Sequence, residues 1–242
     1  MMVKLVKQER HIEIVLNRPE ALNALSTPML KEIASVLREA TSSPHGIMVL
    51  RGEGKAFCVG GDIKERKAGI SFDAYLMERV LMFQEIASIL RNSDKVIIAA
   101  LHGHVVGGGV FISLYADLRI AAEGTVFRLP EIDVGSTLML GGNKILADTI
   151  GIDRAKILLF FGDAIDTDEA LRIGLIHHAV VSDKLNSRVE EFVNTLSGKP
   201  QGTLRLIKKA IIKASENGFE EMLLRETIDA AVNQYSRQNE KQ

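Results

Sequence analysis

Three stretches of this 242-residue chain carry residue types that suit chemistry. In "HGHVVGGGVFIS", Gly107, Gly108 and Gly109 stand between an apolar run and a helix-like pattern. A glycine inside an element costs roughly 0.5–1 kcal/mol relative to alanine, so three together imply close backbone approach or exposed amides. The first N–H groups of a helix have no internal partners and lie at its positive end. Bare glycine there leaves amides open to a phosphate or to a carbonyl oxygen that turns negative during reaction. No Lys-Ser/Thr follows, as a P-loop requires, and residues 103–109 do not fit G-x-G-x-x-G, which favours the oxyanion use. A second bare-amide stretch, "KAFCVGGDIKE", offers Gly60 and Gly61. In a third, "FRLPEIDVG", Glu131 follows Pro130 among apolar neighbours, where desolvation raises a carboxylate's pKa and suits it to be a general acid or base. Asp133, two residues on, points away if that segment is extended.

Other reactive residues read as structural. Cys58 is the single cysteine, which excludes an internal disulfide framework and any Cys-based zinc cluster, and no Cys–His–acid arrangement accompanies it. His102, His104, His177 and His178 lack acidic or Cys companions at ligand spacing, so no metal site is expected. Lys64, Arg66 and Lys67 read as a solvated charge run. Thirty Lys+Arg against 31 Asp+Glu argue against a broad basic face for nucleic acid. The opening "MMVKLVKQERHIEI" has no apolar signal-peptide segment, and no apolar run approaches about 18 residues, so a cytoplasmic protein without a membrane span is expected.

The elements that must position these groups alternate strand and helix. Residues 11–17 alternate as a strand does. Residues 26–40 read as a helix, with Ser26 as N-cap, Pro28 in the first turn, and Leu30, Ile33 and Leu37 on one face. Residues 46–52 and 95–101 read as buried strands. Residues 73–91 read as a helix with a stripe of Leu76, Val80, Phe83, Ala87 and Leu90. Residues 167–180 read as a capped helix, a stop at Gly174 and a strand. After about residue 185 the strands cease, and 203–214 and 219–235 read as amphipathic helices. The expected class is α/β, with a core over 1–190 and a helical region over 191–242.

"LNRPEALNALS" (16–26), "AFCVGGDIKE" (56–65), "HGHVVGGG" (102–109), "FRLPEIDVG" (127–135) and "GDAIDTDEALRIGLIHHAV" (162–180) together resemble the enoyl-CoA hydratase/isomerase, or crotonase, superfamily, in its order and at family-like spacing. The resemblance implies a crotonase-like ββα spiral core with a C-terminal helical trimerisation region, as a homotrimer or dimer of trimers. It implies an acyl-CoA thioester substrate, with coenzyme A arriving as part of the substrate and no permanently bound cofactor. By motif position the oxyanion-hole amides are those of Gly61 and Gly108, and Glu131 is the acid/base. Ala21 and Leu22 of "RPEAL" and Lys64 after "GGDI" fall at the CoA.

The sequence also departs from the family's hydratases, which hold a water between two glutamates. The position of the first, three after the middle glycine, is Phe111; the second is Glu131. The loop supplying a further water-holding amide reads "STLMLGG", with Met139 near that point. Phe111 and Met139, as acyl-pocket lining, give a dry wall beside one carboxylate, which suits a single-base Δ3–Δ2 double-bond shift. Met77 and Leu81 are further lining candidates. Glu20 stands where hydratases often carry lysine. Many members continue past the equivalent of "NQYSRQNEKQ" with a helix over the CoA, so a site built without that helix is expected. Hydration of 2-enoyl-CoA, decarboxylation or thioester hydrolysis, and a non-catalytic acyl-CoA binding role remain alternatives on the same scaffold.

Overall fold

A computed structural model of the chain describes residues 1–66, 72–135 and 140–214; the side chains of 66 and 72–76 lie outside the description. Met139, Lys67, the side chain of Leu76 and the helix expected over 219–235 therefore fall outside the description. The described strands are β1 (Val3–Lys7), β2 (Ile12–Leu16), β3 (Ile47–Gly52), β4 (Val96–Leu101), β5 (His104–Val106), β6 (Leu118–Ala122), β7 (Val126–Arg128), β8 (Ala164–Ile165) and β9 (His178–Val180). The described helices are α1 (Thr27–Thr41), α2 (Ile63–Arg66), α3 (Phe72–Arg91), α4 (Gly108–Leu114), α5 (Gly142–Ile150), α6 (Ile152–Phe161), α7 (Thr167–Arg172), α8 (Leu185–Ser197) and α9 (Gln201–Ala214).

Two sheets organise the chain. The larger has the order β1-β2-β3-β4-β6-β9, parallel except for the β1–β2 pair. The smaller has the order β5-β7-β8, with β5 and β7 parallel. Each turn of chain gives a strand to the large sheet, an extended stretch to the small one, and then helix. After β3, residues 56–58 run beside β5, with Cys58 bridging Val105; β4 leads to β5 and α4; β6 leads to β7. This is a ββα spiral. One face of the large sheet packs on α1, α3 and α4 through Leu30, Ile33, Phe83 and Ile112, among others. The other face packs on α8 through Leu185, Val189 and Val193. Helix α8 thus runs through position 190 as part of the core layering.

The strand expected within 11–17 forms over Ile12–Leu16; all five residues are buried, and so is His11, because layers cover both faces of the sheet. The expected stripe of α3 needs correcting. In α3 the buried line is Arg79, Phe83, Ile86 and Leu90, one position round from the stripe that centred on Val80 and Ala87, which are only half-buried. Helix α1 begins as expected, with Ser26 Oγ accepting from Met29 N at 3.4 Å. Among the described residues, no helix is long and apolar enough to cross a membrane.

Candidate active site

The register of the small sheet brings the three chemical stretches together. Cys58, Val105 and Phe127 are cross-strand neighbours in parallel segments. Gly61 follows Cys58 by three residues, Gly108 follows Val105 by three, and Glu131 follows Phe127 by four. Adjacent strands lie about 4.8 Å apart, so all three groups leave the same edge within roughly two strand spacings. Successive turns of the spiral each deliver one of them.

The two glycine stretches touch. A Cβ on Gly60 would lie 2.9 Å from Val106 O and 3.4 Å from Gly108 N, and one on Gly109 only 2.5 Å from Cys58 O. Close backbone approach thus explains Gly60 and Gly109. A Cβ on Gly108 would meet Leu25 Cδ1 at 2.8 Å, whereas one on Gly61 would meet only Arg79 Nη2, at 3.7 Å. Leu25 N donates to Gly60 O at 2.7 Å, and Asp62 N donates to Leu25 O at 3.2 Å. Both bonds flank Gly61 in a parallel bridge to Leu25. Successive amides of an extended segment face opposite edges, so the Gly61 N–H points away from Leu25. It is exposed and donates to none of the described residues. Gly108 is the first residue of α4, where an amide has no intrahelical acceptor, and its N–H likewise has none among the described residues. Gly107, at φ +50°, turns the chain into the helix and donates to Arg128 O at 2.9 Å.

Glu131 sits beside this turn: a Cβ on Gly107 would lie 2.9 Å from Glu131 Oε1. Glu131 Oε2 is buried with no hydrogen-bond partner among the described residues, and burial raises the carboxyl above its ordinary value. The backbone N–H of Glu131 itself offsets that rise only in part, which leaves the carboxyl suited to act as a base. Asp133 does point away, for a different reason than the one expected. Residues 132–134 form a 3₁₀ turn, and the Asp133 carboxylate meets Arg128 at 2.8 Å near the surface.

The remaining candidates separate. Phe111 is buried, and its ring fills the space a side chain on Gly142 would need, so it stands at the junction of α4 and α5. Met77 and Leu81 lie on the exposed side of α3. Ala21 closes a 3₁₀ turn from Pro19; Leu22, at φ +50°, accepts from Val59 N at 3.2 Å and so ties "RPEAL" to the "CVGG" stretch. Lys64 is exposed at the start of α2, with its amide on Asp62. Glu20 faces Arg18 at 3.8 Å. Cys58 is buried and its thiol is pushed up to about 12, which makes it inert as a nucleophile.

His177 accepts from Arg119 N and is pushed down to about 4 by burial and the Arg119 charge, so it is a neutral structural residue. Among the described residues, one group with metal-ligating atoms close together is His11, Glu13 and Glu190, none of them singled out in the sequence. The Arg51 guanidinium already holds Glu13 Oε1 at 3.0 Å, so this carboxylate is paired with a half-buried arginine.

Sequence reasoning missed the buried polar groups that hold the Gly61 stretch. Arg18 pairs with Asp62 at 2.5 Å. Asn23, fully buried, donates to Glu53 O and Ala56 O. Arg79 donates to Leu25 O and Glu65. An arginine within the apolar line of α3 was the available signal for the last.

A sequence model of the enoyl-CoA hydratase/isomerase family matches residues 7–241. The chain is 37% identical over 213 residues to YngF of Bacillus subtilis (strain 168), covering 87% of this chain and 81% of that one; YngF carries a provisional description as an enoyl-CoA hydratase/isomerase. The crystal structure of an enoyl-CoA hydratase from Thermoplasma volcanium superposes with a TM-score of 0.88 at 31% identity, covering 96% of this chain and 92% of the other. A provisionally assigned enoyl-CoA hydratase from Thermobifida fusca YX, solved with acetoacetyl-CoA, superposes with a TM-score of 0.89 at 26% identity over 97% of this chain and 95% of that one. The chain belongs to the enoyl-CoA hydratase/isomerase family and has the crotonase fold.

Proposed function

We propose that this protein is an acyl-CoA enzyme that isomerises a 3-enoyl-CoA to the conjugated 2-enoyl-CoA, with Glu131 as the only acid/base. The observation that carries the reading is the Glu131 carboxylate, whose buried Oε2 has no partner among the described residues, beside two amides that have no acceptor among them. Glu131 takes a proton from C2. The electron pair moves into the thioester, and the negative oxygen accepts from the Gly61 and Gly108 N–H groups. The carboxylic acid so formed returns the proton at C4 as the double bond moves to C2–C3, so enzyme and atom count are restored. Phe111, occupying the family's first-glutamate position, leaves no side-chain acceptor there for a water. Phe111 and Met139 would then line the acyl pocket.

In this reading Ala21, Leu22 and Lys64 face the CoA, which comes and goes with the substrate. The protein acts in the cytoplasm, and residues 191–242 assemble a trimer or a dimer of trimers. Incubation with a 3-enoyl-CoA, followed by the absorbance of conjugated product, tests it; no product from a folded preparation would overturn it. The hydratase named among the structural relatives favours a second reading, hydration of 2-enoyl-CoA. Rapid loss of the crotonyl-CoA double bond to a 3-hydroxyacyl product would support that reading against the first.

A further inference from the structure

We propose that Arg79 is a positioning residue of the oxyanion hole, setting the direction of the Gly61 amide through the Leu25 carbonyl. The inference rests on the reading of Gly61 as an oxyanion donor. Arg79 is only 4% exposed, although Glu78, Glu85 and Arg91 of the same helix reach solvent. Its Nη2 donates to Leu25 O at 2.9 Å, and its Nη1 donates to Glu65 Oε2 at 3.1 Å and to Thr27 Oγ1 at 3.4 Å. The guanidinium also lies over the Phe83 ring, 5.3 Å from its centroid.

The acceptor it chooses gives Arg79 its leverage. Leu25 O also accepts from Asp62 N at 3.2 Å, the amide next to Gly61, while Leu25 N donates to Gly60 O on the other side. One backbone residue therefore clamps both peptides that flank Gly61, and the guanidinium fixes the outer face of that clamp. A Cβ on Gly61 would lie 3.7 Å from Arg79 Nη2, so the charge stands directly against this glycine. Glu65, held by the same guanidinium, accepts Thr27 N through both carboxylate oxygens, at 3.0 and 2.9 Å. The start of α1, α2 and residues 60–62 are thus joined through Arg79. A lysine reproduces the charge but not the fork that reaches Leu25 O and Glu65 together. Its amide-directing effect should therefore be partial.

The test compares wild type, Arg79→Lys and Arg79→Met in two assays, with circular dichroism and melting to measure the folded fraction. In turnover of 3-enoyl-CoA, kcat should fall by about 10- to 100-fold in Arg79→Met, as expected when a catalytic donor is misplaced, with KM changed by less than about threefold and Arg79→Lys between. In titration of bound acetoacetyl-CoA, followed by its enolate absorbance, the enolisation midpoint should rise by about 1–2 pH units in Arg79→Met, since each unit is a tenfold loss of preference for the anion.

Folded variants with wild-type kcat and an unmoved enolate midpoint would overturn the proposal. So would losses that merely track the folded fraction; if the methionine variant does not fold, the lysine variant decides on the same two readouts. A wild type that leaves the enolisation of acetoacetyl-CoA unperturbed overturns the oxyanion reading and this inference with it. A wild type that perturbs enolisation but isomerises nothing overturns only the isomerase step, and the titration still judges Arg79.

Discussion

Gly107 and Glu131 face each other across the site so closely that a methyl group on the glycine would come within 2.9 Å of the Glu131 Oε1 oxygen. Gly107 also holds φ +50° and ψ −117°, a conformation L side chains rarely adopt. Two independent constraints therefore fall on one residue: the turn that frees the next amide, and the space the carboxylate needs. Gly107→Ala should lower stability by about 1–3 kcal/mol through strain and displace the carboxylate. Isomerase turnover should fall more than the folded fraction does. A variant as active and as stable as wild type would show that neither constraint is felt.

Glu131→Gln removes the proposed base while keeping its shape. Turnover should fall by about 10²–10⁴-fold, the usual contribution of general acid–base catalysis. In the wild type, kcat/KM should rise with pH as Glu131 ionises, with a midpoint above the ordinary carboxylate range, because burial raises this group. Stability carries the opposite slope. The folded state holds the Glu131 proton more tightly than the unfolded chain, so its favourable contribution is present in acid and is lost as pH rises through the raised value. Once the carboxylate ionises, its buried Oε2 has no donor among the described residues, and above the raised titration Glu131→Gln should be the more stable protein by about 1 kcal/mol. That margin should close on acidification below the ordinary carboxylate range. Denaturant melts at several pH values check this, and a margin independent of pH would contradict it.

The Gly108 amide can be isolated by a pair of substitutions. Gly108 is the first residue of α4, where proline is tolerated because its missing N–H has no helical acceptor. Alanine and proline both place a Cβ against Leu25 Cδ1, at 2.8 Å from it in the present packing, so both ask the same side chain to shift. Only proline deletes the donor. Gly108→Pro should therefore be about 10²–10³-fold slower than Gly108→Ala, the cost typical of one lost oxyanion donor. Equal kcat values in the two folded variants would remove Gly108 from the chemistry.

Local signals made much of this legible in the sequence. Helix α1 announced itself through Ser26, Pro28 and the spacing of Leu30, Ile33 and Leu37, and it forms with Ser26 as N-cap. The glycines at 60–61 and 107–109 and the acid at 131 marked the groups that the small sheet brings together, and it was resemblance to a family, rather than spacing alone, that paired them. The role of register was not legible: that Cys58, Val105 and Phe127 stand side by side depends on strand pairs separated by 47 and 22 residues. Nor was the burial of His11 and Glu13, because alternation along one strand does not reveal a second layer over its far face. Arg79 escaped for a related reason. On a helix, a one-position rotation of the apolar line, from Val80 to Arg79, decides whether a charge is solvated or enclosed.

In the proposed reaction two amides and one carboxylate act on the same thioester. A crystal structure with bound acetoacetyl-CoA measures this most directly. The thioester oxygen should lie about 2.7–3.1 Å from both Gly61 N and Gly108 N, with C2 turned toward the Glu131 carboxylate. A thioester oxygen that meets neither amide, or a C2 that faces away from Glu131, would contradict it.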